Sequence, residues 1–151
     1  MVIIQHEDFD VATLYHQLAS SPSVGGVVSF VGKVRDFNQG RDVTGLLLEH
    51  YPGMTEKALN EIICEAKQRW PIEQAIVVHR VGQLALNDQI VFVGVSSPHR
   101  KAAFAASEFI IDYLKTRAPF WKKETTQQGE DVWVEAEEKD KHAEAKWKNA
   151  N

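Results

Sequence analysis

The sequence predicts an α+β fold. Runs rich in β-branched residues interleave with segments whose apolar residues recur at helical spacing. Pro, Gly and Asn-Asp punctuation is dense between them, which disfavours the regular crossovers of a doubly wound sheet. With 151 residues the chain is long enough to bury one full core. The expected organisation is a single domain over residues 1–136 and a charged, flexible tail over 137–151.

Each element has a local reason. Val2–Gln5 reads as a short strand. Asp10 is a natural N-cap for a helix reaching Ala19, with Val11, Leu14, Tyr15 and Leu18 on one face. Residues 21–26 (SPSVGG) form a loop. Residues 27–35 read as a strand, 36–42 as a polar loop, and 44–51 as a second strand broken by Pro52-Gly53. A helix over about 55–70 buries Ala58, Leu59, Ile62, Ile63 and Ala66, and Pro71 closes it. Strands follow at 74–81 and 89–96, with an Asn87-Asp88 turn before the second. The third helix spans about 98–117, with Ser97 as N-cap and Pro98 at its first position; Pro119 ends it. Residues 120–125 and 132–136 flank a QQGED turn as a hairpin. Beyond Glu137 the charges alternate in sign, as in a frayed helix or an unfixed chain end.

Composition excludes several functions. A formal charge of −4 argues against a general nucleic-acid binder, which shows a broad basic face. One cysteine allows neither an internal disulfide nor a Cys-based zinc site, and fits a reducing, cytoplasmic compartment. The six histidines show no HxH, HxxxH or HExxH spacing, so no metal is expected; there is no P-loop and no GxGxxG, and no cofactor is expected. The N-terminal stretch lacks a basic region, and no run approaches the roughly 20 apolar residues of a membrane span.

Against that acidic background, residues 97–123 carry +4. His99 and Arg100 fall in the first turn of the third helix, where the macrodipole disfavours cations and free N–H groups favour an anion. Either an anion binds there, or Arg100 and Lys101 point into water. Lys115 and Lys122 are separated by the Arg117-Ala118-Pro119 break, which can turn both ammonium groups into one pocket. Neighbouring cations depress each other's pKa, and a lysine so tuned can serve as base, nucleophile or oxyanion stabiliser. A helix C-terminus also favours a lysine for purely structural reasons. Lys33 and Arg35 are two apart on a strand beside Gly32, giving either a second anion contact or an exposed polar face. His79, within an apolar strand, reads as structural. Cys64 reads as a small residue at the core edge.

Five segments, FVGKVRDFNQG, LLLEHYPGMTEKAL, VVHRVGQL, IVFVGVSSPHRKAAF and DYLKTRAPFWKKE, resemble the large, catalytic subunit family of molybdopterin synthase. The likeness covers about residues 26–136. It implies an α/β-hammerhead-like fold with an additional small antiparallel sheet. It also implies sulfur transfer to cyclic pyranopterin monophosphate, forming the dithiolene of molybdopterin. The donor is a small ubiquitin-like subunit bearing a thiocarboxylated C-terminal glycine, and the large subunit is a homodimer within a heterotetramer. Carried over residue by residue, the resemblance assigns catalysis to Lys115 and Lys122. It assigns substrate contacts to Lys33, Val34, Arg35, His99, Arg100, Lys123 and Glu124. A non-catalytic scaffold for an anionic tail or nucleotide is the alternative; a scaffold would tolerate Lys115→Arg.

Overall fold

A computed structural model describes residues 1–134 and 138–148. In chain order the elements are β1 (Val2–Gln5), α1 (Val11–Leu18), β2 (Gly26–Lys33), β3 (Phe37–Asn38), β4 (Arg41–His50), α2 (Met54–Arg69), β5 (Gln74–Arg80), β6 (Gly82–Ala85), β7 (Gln89–Ser97), α3 (Arg100–Arg117), β8 (Phe120–Thr126), β9 (Asp131–Val134) and α4 (Glu138–Lys148). The α+β class is as the sequence predicts.

The first sheet has the order β1-β5-β7-β2, with β1 parallel to β5 and the other pairs antiparallel. Strand alternation sends Ala75, Val77, Val93 and Val95 to one face, where they meet Leu59, Ile62, Phe109 and Ile110 of α2 and α3. Ile76, Val78 and Phe92 point the other way, onto Leu14 and Leu18 of α1. Helices thus cover both faces of β5 and β7, and their sequences read as unbroken apolar runs. Gly94 lies where α1 crosses: a Cβ there would sit 2.5 Å from Leu18 Cδ1.

The second sheet is antiparallel. β4 pairs with β6 on one side and β8 on the other, β9 follows β8, and β3 adds to the start of β4. Val34, Leu46, Leu48 and Leu84 form its small core.

Several boundaries depart from the sequence reading. Residues 36–42 are not a plain loop. Phe37 pairs with Asp42 and Asn38 with Arg41 around Gln39 (φ 51°) and Gly40 (φ 79°), a two-residue turn with both central residues left-handed. The sequence hid it because glutamine rarely takes the first of those positions. β6 is a four-residue strand that the sequence reading lacks. The third helix starts two residues late: His99 is the N-cap, because Ser97 belongs to β7. The Ser97 hydroxyl still serves the helix start, accepting from the His99 N–H at 3.2 Å and donating to Pro71 O at 3.1 Å. Of the expected hairpin strand at 132–136, residues 135 and 136 lie outside the described residues.

Residues 138–148, expected to be frayed or flexible, form α4 on the surface of α3. Trp147 is buried among Trp70 and Phe109, with edge-to-face centroid distances of 5.6 and 5.5 Å. Its indole N–H donates to Asp112 Oδ2 at 2.7 Å, and Arg69 donates to its carbonyl at 3.1 Å. One aromatic anchor outweighs a charged surround, since each such ring pair adds about 0.5–1.5 kcal/mol beyond the area buried.

Candidate active site

β2 and α3 run side by side in the same direction. Gly26 lies beside Arg100 at one end, where a Cβ would be 3.9 Å from the Arg100 Cα. At the other end, the exit of β2 and the last turn of α3 enclose a cavity of about 530 Å³. The start of β8 and the β3 hairpin complete its walls, and Asp140 of α4 reaches its edge.

Four of the predicted cations line this cavity: Lys33 and Arg35 from the exit of β2, Lys115 from α3, and Lys122 from β8. A register shift between Gly32 and Lys33 interrupts the β2 ladder near its end, and Lys33 and Arg35 line the cavity just beyond it. Pro119 ends α3, and the chain reverses so that β8 returns Lys122 to the same space as Lys115. The Pro119 carbonyl accepts from the Thr55 hydroxyl at 3.3 Å, which ties this reversal to the start of α2.

Val34 and Glu124 also line the cavity, each with a structural duty. Val34 is 5% exposed and packs in the small core of the second sheet. Glu124 is buried, and both its oxygens accept from Asn38 Nδ2 at 3.1 Å. Arg41 Nη2 adds an ion pair to Oε1 at 3.1 Å. Asn38 in turn accepts from Arg35 Nη2 at 3.3 Å. Glu124 therefore orients the β3 hairpin and, through Asn38, the Arg35 guanidinium.

Three predicted residues lie elsewhere. Lys123 alternates to the opposite face of β8, over the Trp133 ring (5.4 Å) and 3.6 Å from Asp131. His99 and Arg100 are exposed at the far end of α3. Arg100 and Lys115 are fifteen residues apart on one helix, a separation of about 22 Å at 1.5 Å per residue. Cys64 is exposed on α2, away from the core edge where the sequence placed it.

The cavity also contains residues that sequence reasoning did not select. His79 of β5 is 2% exposed and stacks on Phe120, with ring centroids 3.8 Å apart. Its imidazole pKa is pushed down to about 3, chiefly by burial; the Arg80 carbonyl opposes this, and Lys122, Lys115 and His50 add to it. The apolar run around His79 signalled burial and nothing more. Asn38 was concealed by the unrecognised hairpin, and Asp140 by the reading of the tail as flexible. Among the described residues no group of three His, Cys, Asp or Glu side chains converges as metal ligands. None of the described helices is long and apolar enough to cross a membrane.

Residues 4–117 match the MoaE protein family. The chain belongs to the MoaE family. A MoaE-family relative from Vibrio cholerae, named molybdopterin synthase catalytic subunit, is 57% identical over 146 residues, covering 97% of each chain. The solved MoaE protein of Burkholderia ambifaria superposes with a TM-score of 0.82 at 49% identity, covering 98% of this chain and 97% of that one. Molybdopterin synthase from Staphylococcus aureus gives a TM-score of 0.81 at 36% identity, covering 88% and 96%. The family match takes in Lys33, Arg35, His79 and Lys115. Lys122 and Glu124 fall beyond it, within the nearly full-length likeness to the Vibrio relative.

Proposed function

We propose that this chain is the catalytic subunit of molybdopterin synthase. It transfers sulfur from the thiocarboxylated C-terminus of a small ubiquitin-like subunit to cyclic pyranopterin monophosphate. The observation that carries this reading is the convergence of Lys33, Arg35, Lys115 and Lys122 on one cavity in a member of the MoaE family.

The chemistry fits that charge pattern. The donor's thiocarboxylate is an anion, and so is the cyclic phosphate. A guanidinium fork suits the phosphate, and Arg35 is already oriented by Asn38. When the donor's sulfur bonds to a pterin side-chain carbon, a carbon–oxygen bond at that carbon breaks and the oxygen leaves with a proton; the acyl carbon–sulfur bond must then break. Attack by water on that acyl carbon places negative charge on its oxygen. An ammonium group fixed at that point stabilises the oxyanion more than the ground state. Lys115 is assigned this role and Lys122 its electrostatic support. The tail's carboxylate leaves with the carrier, and the sulfur stays on the pterin.

His99 and Arg100 cannot reach this cavity within one chain. Their assignment to the substrate phosphate requires a second protomer to present its α3 N-terminus at the cavity mouth. The proposed homodimer, with two small subunits, is consistent with that arrangement.

Incubating the chain with thiocarboxylated small subunit and the cyclic pterin tests the reading. The expected result is molybdopterin, detected as its oxidised fluorescent derivative. Absence of product with a competent donor would contradict it.

A further inference from the structure

One buried group at the cavity has no part in the scheme above. His79 lies near the end of β5, in the first sheet, and lines the cavity where that sheet meets the second. Its ring is nearly parallel to Phe120, with 17° between the planes. Its Nδ1 is 2.8 Å from the Arg80 carbonyl oxygen. A carbonyl only accepts, so Nδ1 carries the hydrogen and the ring is held in one orientation.

Phe120 matters because of its place in the chain. α3 ends at Arg117 and β8 begins at Phe120, so this ring sits on the short connector between Lys115 and Lys122. The connector is held from one side by Thr55 on the Pro119 carbonyl. His79 holds it from the other sheet. The Phe120 ring also packs against the main core, but the His79 stack is its described ring contact at the cavity, and losing it loosens the reference that the two lysines share.

We propose that His79 is a positioning residue for sulfur transfer: its stack on Phe120 sets the spacing of the Lys115 and Lys122 ammonium groups without adding charge to the cavity. This rests on the sulfur-transfer reading of the cavity. The charged and titratable groups around the imidazole are Lys115 of α3, Lys122 of β8 and His50 of β4, with Lys33 and Arg35 across the cavity. The acids of the cavity are Glu124, engaged by Arg41, and Asp140. Burial and the surrounding cations keep the imidazole neutral, so the cavity's positive charge comes from lysine and arginine alone. A protonated ring at this place would repel both lysines. A ring that stacks, satisfies a strand-end carbonyl and stays uncharged meets all three needs.

The test uses the full chain with thiocarboxylated small subunit and three variants: His79→Leu, His79→Phe and Phe120→Leu. The readouts are single-turnover rate against pH, small-subunit affinity, and the lysine titration followed by NMR without substrate. His79→Leu should slow transfer on the order of tenfold or more, because small misplacements of reacting groups are costly. It should also move the lysine titration while leaving partner affinity within about threefold. His79→Phe, which keeps the stack, should recover most of the lost rate and the wild-type titration. Phe120→Leu should reproduce His79→Leu, and the double variant should be no worse than either single one. A wild-type rate and titration in His79→Leu would overturn the proposal, as would His79→Phe behaving like His79→Leu. If His79→Leu does not fold, Phe120→Leu and the wild-type imidazole spectrum decide. That spectrum must show the Nδ1–H tautomer with no titration above about pH 5. The NMR arms need no substrate: their failure counts against His79, whereas an inactive wild type counts against the sulfur-transfer reading.

Discussion

Glu124 and Asn38 share a two-pronged contact in which the Asn38 amide lies 3.1 Å from both carboxylate oxygens. The pair joins β8 to the β3 hairpin and stands between Arg41 and Arg35. Glu124→Ala leaves Arg41 and Asn38 without their acceptor. The expected loss is about 2 kcal/mol of stability, the scale for orphaned partners of a buried hydrogen-bonded charge. Pterin affinity should fall as well, because Arg35 loses its orientation. Urea denaturation and pterin titration measure the two effects. A variant as stable as wild type would show that the contact contributes nothing.

Stability should depend on pH through His79. The native imidazole stays neutral down to about 3, whereas the unfolded side chain titrates near 6.5. Between these values the unfolded state binds more protons. The stability is therefore complete above 6.5 and is lost as pH falls toward 3, at up to about 1.4 kcal/mol per pH unit. His79→Phe removes this component. Urea midpoints at neutral and mildly acid pH should converge for that variant relative to wild type. Parallel pH profiles would contradict the linkage.

Trp147 is expected to anchor α4. Trp147→Ala removes a buried indole and its bond to Asp112, and should cost about 3 kcal/mol, at the lower end for a large aromatic truncation. Amide exchange across residues 138–148 should rise in the variant while that of β5 and β7 stays slow. Unchanged exchange in α4 would show that other contacts hold it.

If Arg100 serves the partner's cavity, two inactive variants should complement each other. Arg100→Ala and Lys115→Ala chains, co-expressed so that protomers mix, place both defects in one cavity of each mixed dimer and leave the other intact. Turnover should return to roughly a quarter of wild type for random pairing in a two-fold dimer. No recovery on mixing two variants that are each inactive alone would contradict a cavity shared across the dimer, and an active Arg100→Ala would remove Arg100 from the reaction.

The strongest sequence signals were those set by local periodicity and by charge out of place. The two-sided apolar runs of β5 and β7, the Asp10 cap, which bonds the Ala12 N–H at 3.0 Å, and the basic cluster around Lys115 and Lys122 are all visible in the chain itself. What was not visible depends on contacts distant in sequence. His79 and Phe120 are forty-one positions apart, and only the meeting of two sheets stacks them. Asn38 reaches Glu124 across eighty-six positions. Trp147 looks like one apolar residue in a charged tail until Trp70 and Phe109 are placed beneath it. His99 and Arg100 stand out in the sequence because cations are misplaced at a helix start. That signal says an anion is wanted there, but not that a helix's length separates them from the cavity.

In the proposed reaction, Lys115 acts on the reacting groups in the cavity. Single-turnover sulfur transfer by Lys115→Ala, with thiocarboxylated small subunit and cyclic pterin both saturating, tests it most directly. The expected result is a rate loss of about 10²–10³, the scale for removing one oxyanion-stabilising group, with folding and small-subunit binding largely intact. Lys115→Arg should remain well below wild type, since a wider, planar cation cannot place its charge at the same point. A Lys115→Ala rate within a few-fold of wild type would remove Lys115 from the chemistry and leave the cavity as a binding site alone.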